Sequence, residues 1–171
     1  MEKTRVQITP YHIRLRYAPE IERQDADIIF EFFIVYSRFE YALKLVGYRN
    51  SDSGYLKPDW EAFINSTQEK FTPNHLPELS EAFQYYLEHP PRIQILCTGR
   101  LDWRPNRRRE NESDYAWVIR SVGIVRNNLF HGGKFPYDAI RDTILLSFGL
   151  IILYHCLELD DEVFKAFNYP S

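Results

Sequence analysis

Between Ile21 and Val46 apolar side chains recur at Ile28, Phe32, Val35, Phe39, Ala42 and Val46, in steps of four and three, and Gly47 follows at once. That spacing lays a stripe along one face of an α-helix, whereas a half-buried strand would alternate with period two. The glycine stands where a left-handed cap closes a helix. Ile29, Phe33, Tyr36 and Leu43 are apolar as well. The helix is therefore expected to bury more than one side, in a central position or in a dimer contact.

The rest of the chain repeats the pattern between breaks. A polar loop at Asn50-Ser51-Asp52-Ser53-Gly54 is followed by Pro58-Asp59, a helix start ahead of Trp60, Phe63, Ile64 and Thr67. Pro73 and Pro77 bracket another break, and Leu79, Phe83, Tyr86 and Leu87 form the apolar face of a third helix that Pro90-Pro91 cannot continue. Ile93, Ile95 and Leu96 fit either a short strand or a helical turn. The run Arg104 to Arg109 reads as an exposed loop. Val118, Val122, Val125 and Leu129 again follow helical spacing, and Gly123 among them costs roughly 1 kcal/mol against Ala, which a closely passing helix would explain. Gly132-Gly133 stop this helix, Pro136 restarts one that runs from about Asp138 to Leu157, and an acidic, aromatic tail follows. In residues 1–18, Ile13, Leu15 and Tyr17 alternate with Arg14 and Arg16, as in an edge strand or a loosely packed arm. The expectation is an all-α bundle of four to five helices over residues 19–171, behind an N-terminal extension of residues 1–18.

Composition narrows the function. With 171 residues, 44% of them apolar, the chain is long enough for one core of its own. A net charge of -3 argues against coating nucleic acid by bulk electrostatics and leaves room only for a local basic patch. Cys97 and Cys156 lie far apart, and His12, His75, His89, His131 and His155 form no metal-binding spacing, so no disulfide framework, metal or other cofactor is expected. The opening Met-Glu-Lys-Thr-Arg-Val-Gln lacks the apolar run of a signal peptide, and Ile144 to Tyr154 is interrupted by Ser147 and Gly149, short of the roughly 20 residues that span a bilayer. A cytoplasmic protein with no membrane partner is expected.

The string Arg126-Asn127-Asn128-Leu129-Phe130-His131, followed by Gly132-Gly133-Lys134, carries the chemistry. Arg binds phosphate through a planar fork of donors and His moves protons near neutral pH. On a straight helix Asn127 and His131 lie about 40° apart, whereas Arg126 and His131 differ by about 140°. One straight copy does not focus both on one phosphate, so either the last turn unwinds at Gly132 or a second copy of the motif faces the first across a two-fold axis. Gly123 fits such a close approach. For RNA, His131 would take the ribose 2′-hydroxyl proton while Arg126 stabilises the phosphorane charge, giving a 2′,3′-cyclic phosphate without a metal. An Arg and a His near a helix end are also an ordinary capping arrangement. The two poor helix formers between them at the end of an apolar helix set this string apart.

Further candidates surround it. Glu40 is either a carboxylate that orients Arg126 or His131, or half of an exposed pair with Lys44 four residues on. Asn127 is an orienting amide and Asn128 a supporting one. Arg104, Arg107, Arg108 and Arg109 either track an RNA backbone or solvate a loop. Lys134 is placed to meet a phosphate, Arg38 is read as a surface or ion-pair residue, and His155 as a packed core histidine.

The string resembles the signature of the HEPN superfamily: Arg, four to six residues with a polar one first, then His. The gap here is four and its first residue is Asn127. The run from Phe32-Phe33 through Ser37-Arg38-Phe39-Glu40-Tyr41-Ala42-Leu43-Lys44 is similar to the first long helix of plasmid- and prophage-type HEPN proteins, with Trp60 in their second-helix region. The resemblance covers about residues 25 to 158. It implies an all-α fold and a homodimer with a composite cleft. It further implies metal-independent ribonuclease activity in a toxin–antitoxin, CRISPR-associated or phage-defence setting, with an antitoxin or defence component as partner. Arg126 and His131 take the catalytic positions. One subgroup carries a Tyr two residues after the His, the target of a nucleotidyltransferase; Gly133 stands there in this chain. Other members are non-catalytic, which leaves a module binding RNA, a nucleotide or a protein as the alternative, and a purely structural helical dimer as a third.

Overall fold

The computed structural model describes residues 23–51, 54–130 and 139–169. Among them the fold is mainly helical: α1 (Arg23–Val46), α2 (Trp60–Thr67), α3 (Pro77–Glu88), α4 (Asp114–Phe130), α5 (Ala139–Leu157) and α6 (Asp161–Asn168). Two small antiparallel ribbons accompany them, β1 (Arg49–Asn50) with β2 (Lys57–Pro58), and β3 (Ile93–Cys97) with β4 (Arg100–Arg104). Residues 1–18 lie outside the described residues.

The long stripe of α1 is core. Phe32, Val35, Phe39 and Ala42 are buried, with Tyr36 and Leu43 beside them, while Phe33 remains exposed. Gly47, at φ +111°, ends the helix in a conformation that L side chains rarely adopt. α2 begins where Asp59 accepts the Ala62 N–H at 2.9 Å, a cap whose loss costs about 1 kcal/mol. It buries Phe63, Ile64 and Thr67. Phe63 meets Phe39 edge-on at 5.3 Å, and Trp60 packs against both.

α5 packs against α1, α3, α4 and α6. Its residues 140–157 are long and apolar enough to cross a bilayer, and half of them are buried within the fold. Leu145, Leu146, Ile152 and Leu153 are at its centre. Gly149 is what lets three helices meet. A β-carbon there would stand 2.9 Å from both Phe32 Cε2 of α1 and the Tyr86 hydroxyl of α3. That hydroxyl donates to the Leu145 carbonyl at 2.7 Å, a buried polar group satisfied by a buried partner. Nearby, the Tyr115 hydroxyl meets Thr67 Oγ1 at 2.9 Å and Cys156 Sγ at 3.6 Å, and burial pushes the Cys156 thiol up to about 12.

The mainly helical class holds, with two small ribbons added to it. Of the two readings of Arg92 to Leu96 the strand is realised, as Ile93–Cys97, and it pairs with a second strand that its charges, Arg100, Asp102 and Arg104, had concealed. Arg104 therefore belongs to β4 and not to a loop. The turn Thr98-Gly99 holds both residues at positive φ, +48° and +79°, as a two-residue hairpin requires. The helices number six among the described residues because the acidic tail folds as α6: Asp160 accepts from Glu162 and Val163 N–H, and Val163 and Ala166 pack inward. Arg38 secures that helix to α1, donating to the Phe167 carbonyl with its guanidinium 5.2 Å from the Phe167 ring.

Candidate functional site

α4 carries the string from Arg126 through Phe130 and is fixed at both ends. At its start the Ser113 hydroxyl accepts the Ala116 N–H at 3.2 Å, as an N-cap does. Val118, Val122 and Val125 are buried. Ala116, Arg120, Gly123 and Asn127, at helical spacing on another side, form one wall of an open cleft of about 890 Å³. Trp60, Glu61 and Ile64 of α2 line it too, and α1 contributes Tyr36 and Glu40.

The helix is regular through Phe130, so Arg126, Asn127 and Asn128 point in three directions. Arg126 is half-buried and held from four sides. Its Nη1 donates to Asn127 Oδ1 at 3.0 Å, and Nη2 lies 3.8 Å from Glu40 Oε2. Its guanidinium carbon is 5.7 Å from the Tyr36 ring and 5.4 Å from that of Phe130. Cation–π contacts of this kind and a half-desolvated carboxylate fix a flexible side chain in one orientation. Of the two readings of Glu40, the ion pair is with Arg126; among the described residues none joins Glu40 to Lys44. Burial, with the Glu40 charge adding to it, pushes the Tyr36 hydroxyl well above the ordinary phenol range.

Asn127 is exposed, its amide oxygen turned to Arg126. Asn128 is buried and faces away from the cleft, donating to the Arg92 carbonyl at 2.8 Å. It ties the base of the β3–β4 hairpin to the end of α4. His131 and Lys134 lie outside the described residues.

Gly123 faces its own chain. A β-carbon there would meet the Tyr36 hydroxyl at 3.2 Å, so the close approach that the sequence called for is made by α1. Gly123 therefore does not mark a two-fold axis.

Two of the four arginines in the run are held by ion pairs. Arg108 pairs with Asp114, and Arg109 Nη1 lies 2.6 Å from Glu61 Oε1. Arg120 of α4 fastens the whole stretch: it binds Glu112 through both carboxylate oxygens at 2.8 and 2.9 Å, Asn106 Oδ1 at 3.1 Å and the Arg107 carbonyl at 3.0 Å. The Glu112 carboxyl is held below its usual range, chiefly by those Arg120 hydrogen bonds. Arg104 and Arg107 are exposed. Within the cleft the acids Glu40, Asp59, Glu61, Glu110 and Glu112 outnumber the bases Lys57, Arg109 and Arg120. Its interior is therefore a poor track for a phosphate backbone. Asn128 joins α4 to the hairpin through the backbone carbonyl of Arg92, whose guanidinium donates to the Trp103 carbonyl at 3.1 Å.

Among the described residues no three His, Cys, Asp or Glu side chains are grouped as a metal site would need. Tyr36 and Phe130, the two rings that hold Arg126, were missed in the sequence. Phe130 had a signal in its four-residue spacing from Arg126, the spacing of helical neighbours; Tyr36 had none, since its contact is tertiary. Comparison of the chain with protein-family models, curated proteins and solved structures returns no match.

Proposed function

We propose that this chain is a metal-independent endoribonuclease of the HEPN type, acting as a homodimer on cytoplasmic RNA as a toxin or phage-defence effector. The observation that carries the reading is the restraint on Arg126. A surface arginine with no task has no need of a carboxylate, an amide and two aromatic rings around it. So held, a guanidinium fork is preorganised for a phosphate, five residues ahead of an imidazole in the chain.

In this reaction His131 takes the proton from the ribose 2′-hydroxyl. The oxygen then attacks the adjacent phosphorus, the P–O5′ bond breaks, and a protonated imidazole, supplied by the second copy, gives its proton to the leaving 5′ oxygen. Arg126 bears the charge of the phosphorane. The products are a 2′,3′-cyclic phosphate and a 5′-hydroxyl, and DNA, lacking the 2′-hydroxyl, is not a substrate.

Labelled RNA incubated with the purified chain in excess EDTA tests this. Cleavage that survives chelation and disappears in both Arg126→Ala and His131→Ala is expected; a requirement for a divalent ion would overturn it. The acid surplus of the cleft favours one second reading, a non-catalytic module whose cleft takes a basic segment of a protein. RNA left intact by the wild-type chain would favour that module.

A further inference from the structure

Three of the four groups that hold Arg126, namely Tyr36, Glu40 and Asn127, also line the cleft between α1, α2 and α4. The cleft of about 890 Å³ therefore opens at the guanidinium, and its walls come from one copy of the chain. Its α4 wall runs from Ala116 to Asn127, about 16 Å at 1.5 Å per residue. Stacked nucleotides advance about 3.4 Å each along a strand. A strand with one phosphate on Arg126 thus has room to lay its neighbouring nucleotides along this wall.

Most of the charge in the cleft is matched inside the fold. Glu61 pairs with Arg109, Glu112 with Arg120 and Glu40 with Arg126. Among the described residues Glu110 has no partner, and Asp59 engages only Oδ1, on the Ala62 N–H. The free hydrogen-bonding capacity lies with carboxamides. Asn50, Asn65, Gln68 and Asn111 line the cleft with side-chain amides that bond to nothing among the described residues, and Asn127 keeps its Nδ2. Asn65 and Gln68, three apart on α2 and both exposed, are neighbours on the cleft side of that helix. A carboxamide sets a donor beside an acceptor in one plane, the complement of a nucleobase edge.

We propose that this cleft seats unpaired nucleobases beside the scissile phosphate, with their edges read by Asn65, Gln68 and Glu110 and their phosphates held outside. The site deepens the ribonuclease reading and rests on it for the phosphate at Arg126. Two features select bases over a basic protein segment: Arg126 at the end of the cleft repels a cation, and three of the five carboxylates are already paired with arginine. The acid surplus of the walls repels phosphate and so turns a strand base-inward. In a duplex the base edges are taken by their own partners, so the target is single-stranded. A carboxylate accepts hydrogen bonds and does not donate. Glu110 therefore favours adenine, cytosine and guanine, whose exocyclic amino groups donate, over uracil, which has carbonyls in their place.

Single-stranded DNA carries the same base edges, with thymine for uracil, and has no 2′-hydroxyl to react, so it probes the cleft apart from the chemistry. Short fluorescent oligomers of deoxyadenosine, deoxycytidine and thymidine are titrated with the full chain and followed by anisotropy. The first two bind about tenfold more tightly than the third. Asn65→Ala with Gln68→Ala, both at exposed positions, leaves the unfolding midpoint unchanged, weakens the first two by about tenfold and removes the preference. With RNA the same double variant raises KM and spares kcat. Equal affinity for the three oligomers, or a double variant that binds like wild type, overturns the proposal. An oligolysine peptide that binds where no oligomer does overturns it as well and gives the cleft to a basic segment. Oligomer binding that needs Asn65 and Gln68, in a chain that cuts no RNA, sinks the ribonuclease reading alone and upholds the base-reading cleft. RNA cleavage indifferent to both residues sinks the cleft and leaves the reaction standing.

Discussion

Tyr36 closes over Gly123: a β-carbon at that glycine would stand 3.2 Å from the phenol oxygen, and the ring cannot retreat, since Trp60 and Phe32 pack against it at 5.3 and 5.9 Å. The glycine is there to seat a side chain of its own subunit. Gly123→Val is accordingly expected to cost about 1–3 kcal/mol of stability by overpacking. Denaturant titration at two protein concentrations checks the assignment: the loss is the same at both, whereas a loss that grows on dilution would put Gly123 in an inter-subunit contact.

Arg126 and Glu40 separate stability from activity. An exposed or half-exposed ion pair contributes at most about 1 kcal/mol, so Glu40→Gln should change unfolding little. On the proposed ribonuclease reading, with Glu40 setting the direction of the guanidinium fork, the same substitution lowers RNA cleavage by about tenfold, some 1.4 kcal/mol of transition-state stabilisation, mainly in kcat. Arg126→Lys, which keeps the charge and loses the fork, should fall further. A Glu40→Gln variant that unfolds readily but cleaves normally per folded molecule would reduce Glu40 to a packing residue.

Where periodicity alone decided an element, the sequence was readable: the stripe Phe32, Val35, Phe39, Ala42 of α1 and Val118, Val122, Val125 of α4 are buried where helical spacing put them. Pro58-Asp59 marked the start of α2 for a local reason, the Asp59 cap. The hairpin was not readable, because β4 alternates charged residues with an exposed Leu101 and a half-buried Trp103, too little apolar surface to stand out as a strand. The arginine run misled for a different cause. Arg108 and Arg109 find Asp114 and Glu61, supplied by α4 and α2, so half of the charge that looks free in sequence is paired in the fold. The site was legible only as a string; that Tyr36 and Phe130 hold Arg126, and that Asn128 serves the hairpin, depends on which way each side chain leaves the helix.

Glu112 makes the fastening of residues 105–113 to α4 sensitive to acid. Its side chain is 7% exposed and its carboxyl, bound by Arg120 and by the Arg109 N–H at 3.0 Å, titrates below the ordinary 4.5. The unfolded chain thus takes up this proton more readily than the folded one. The contribution is complete above about pH 4.5 and is lost as pH falls through the depressed folded value. Unfolding free energies measured between pH 7 and pH 3 should fall more steeply below pH 4.5 for wild type than for Glu112→Gln, which starts lower. Parallel curves would show that Glu112 does not contribute to the acid response.

Gly149 and Tyr86 form a pair whose coupling can be measured. A methyl at position 149 gains roughly 1 kcal/mol of helix propensity but would sit 2.9 Å from Phe32 Cε2 and from the Tyr86 hydroxyl, in a core with no room to yield. Overpacking of this kind costs about 1–3 kcal/mol, so Gly149→Ala should be net destabilising. Tyr86→Phe removes the hydrogen bond to the Leu145 carbonyl, which remains bonded within its helix, and should cost about 1 kcal/mol. In the double variant the hydroxyl that obstructs the new methyl is gone, so its loss should be smaller than the sum of the two single losses. The Phe32 contact remains, so recovery should be incomplete. Chemical denaturation of the four proteins gives the coupling directly. Additive losses would mean that the clash at Gly149 is with Phe32 alone and that Tyr86 stands clear of it.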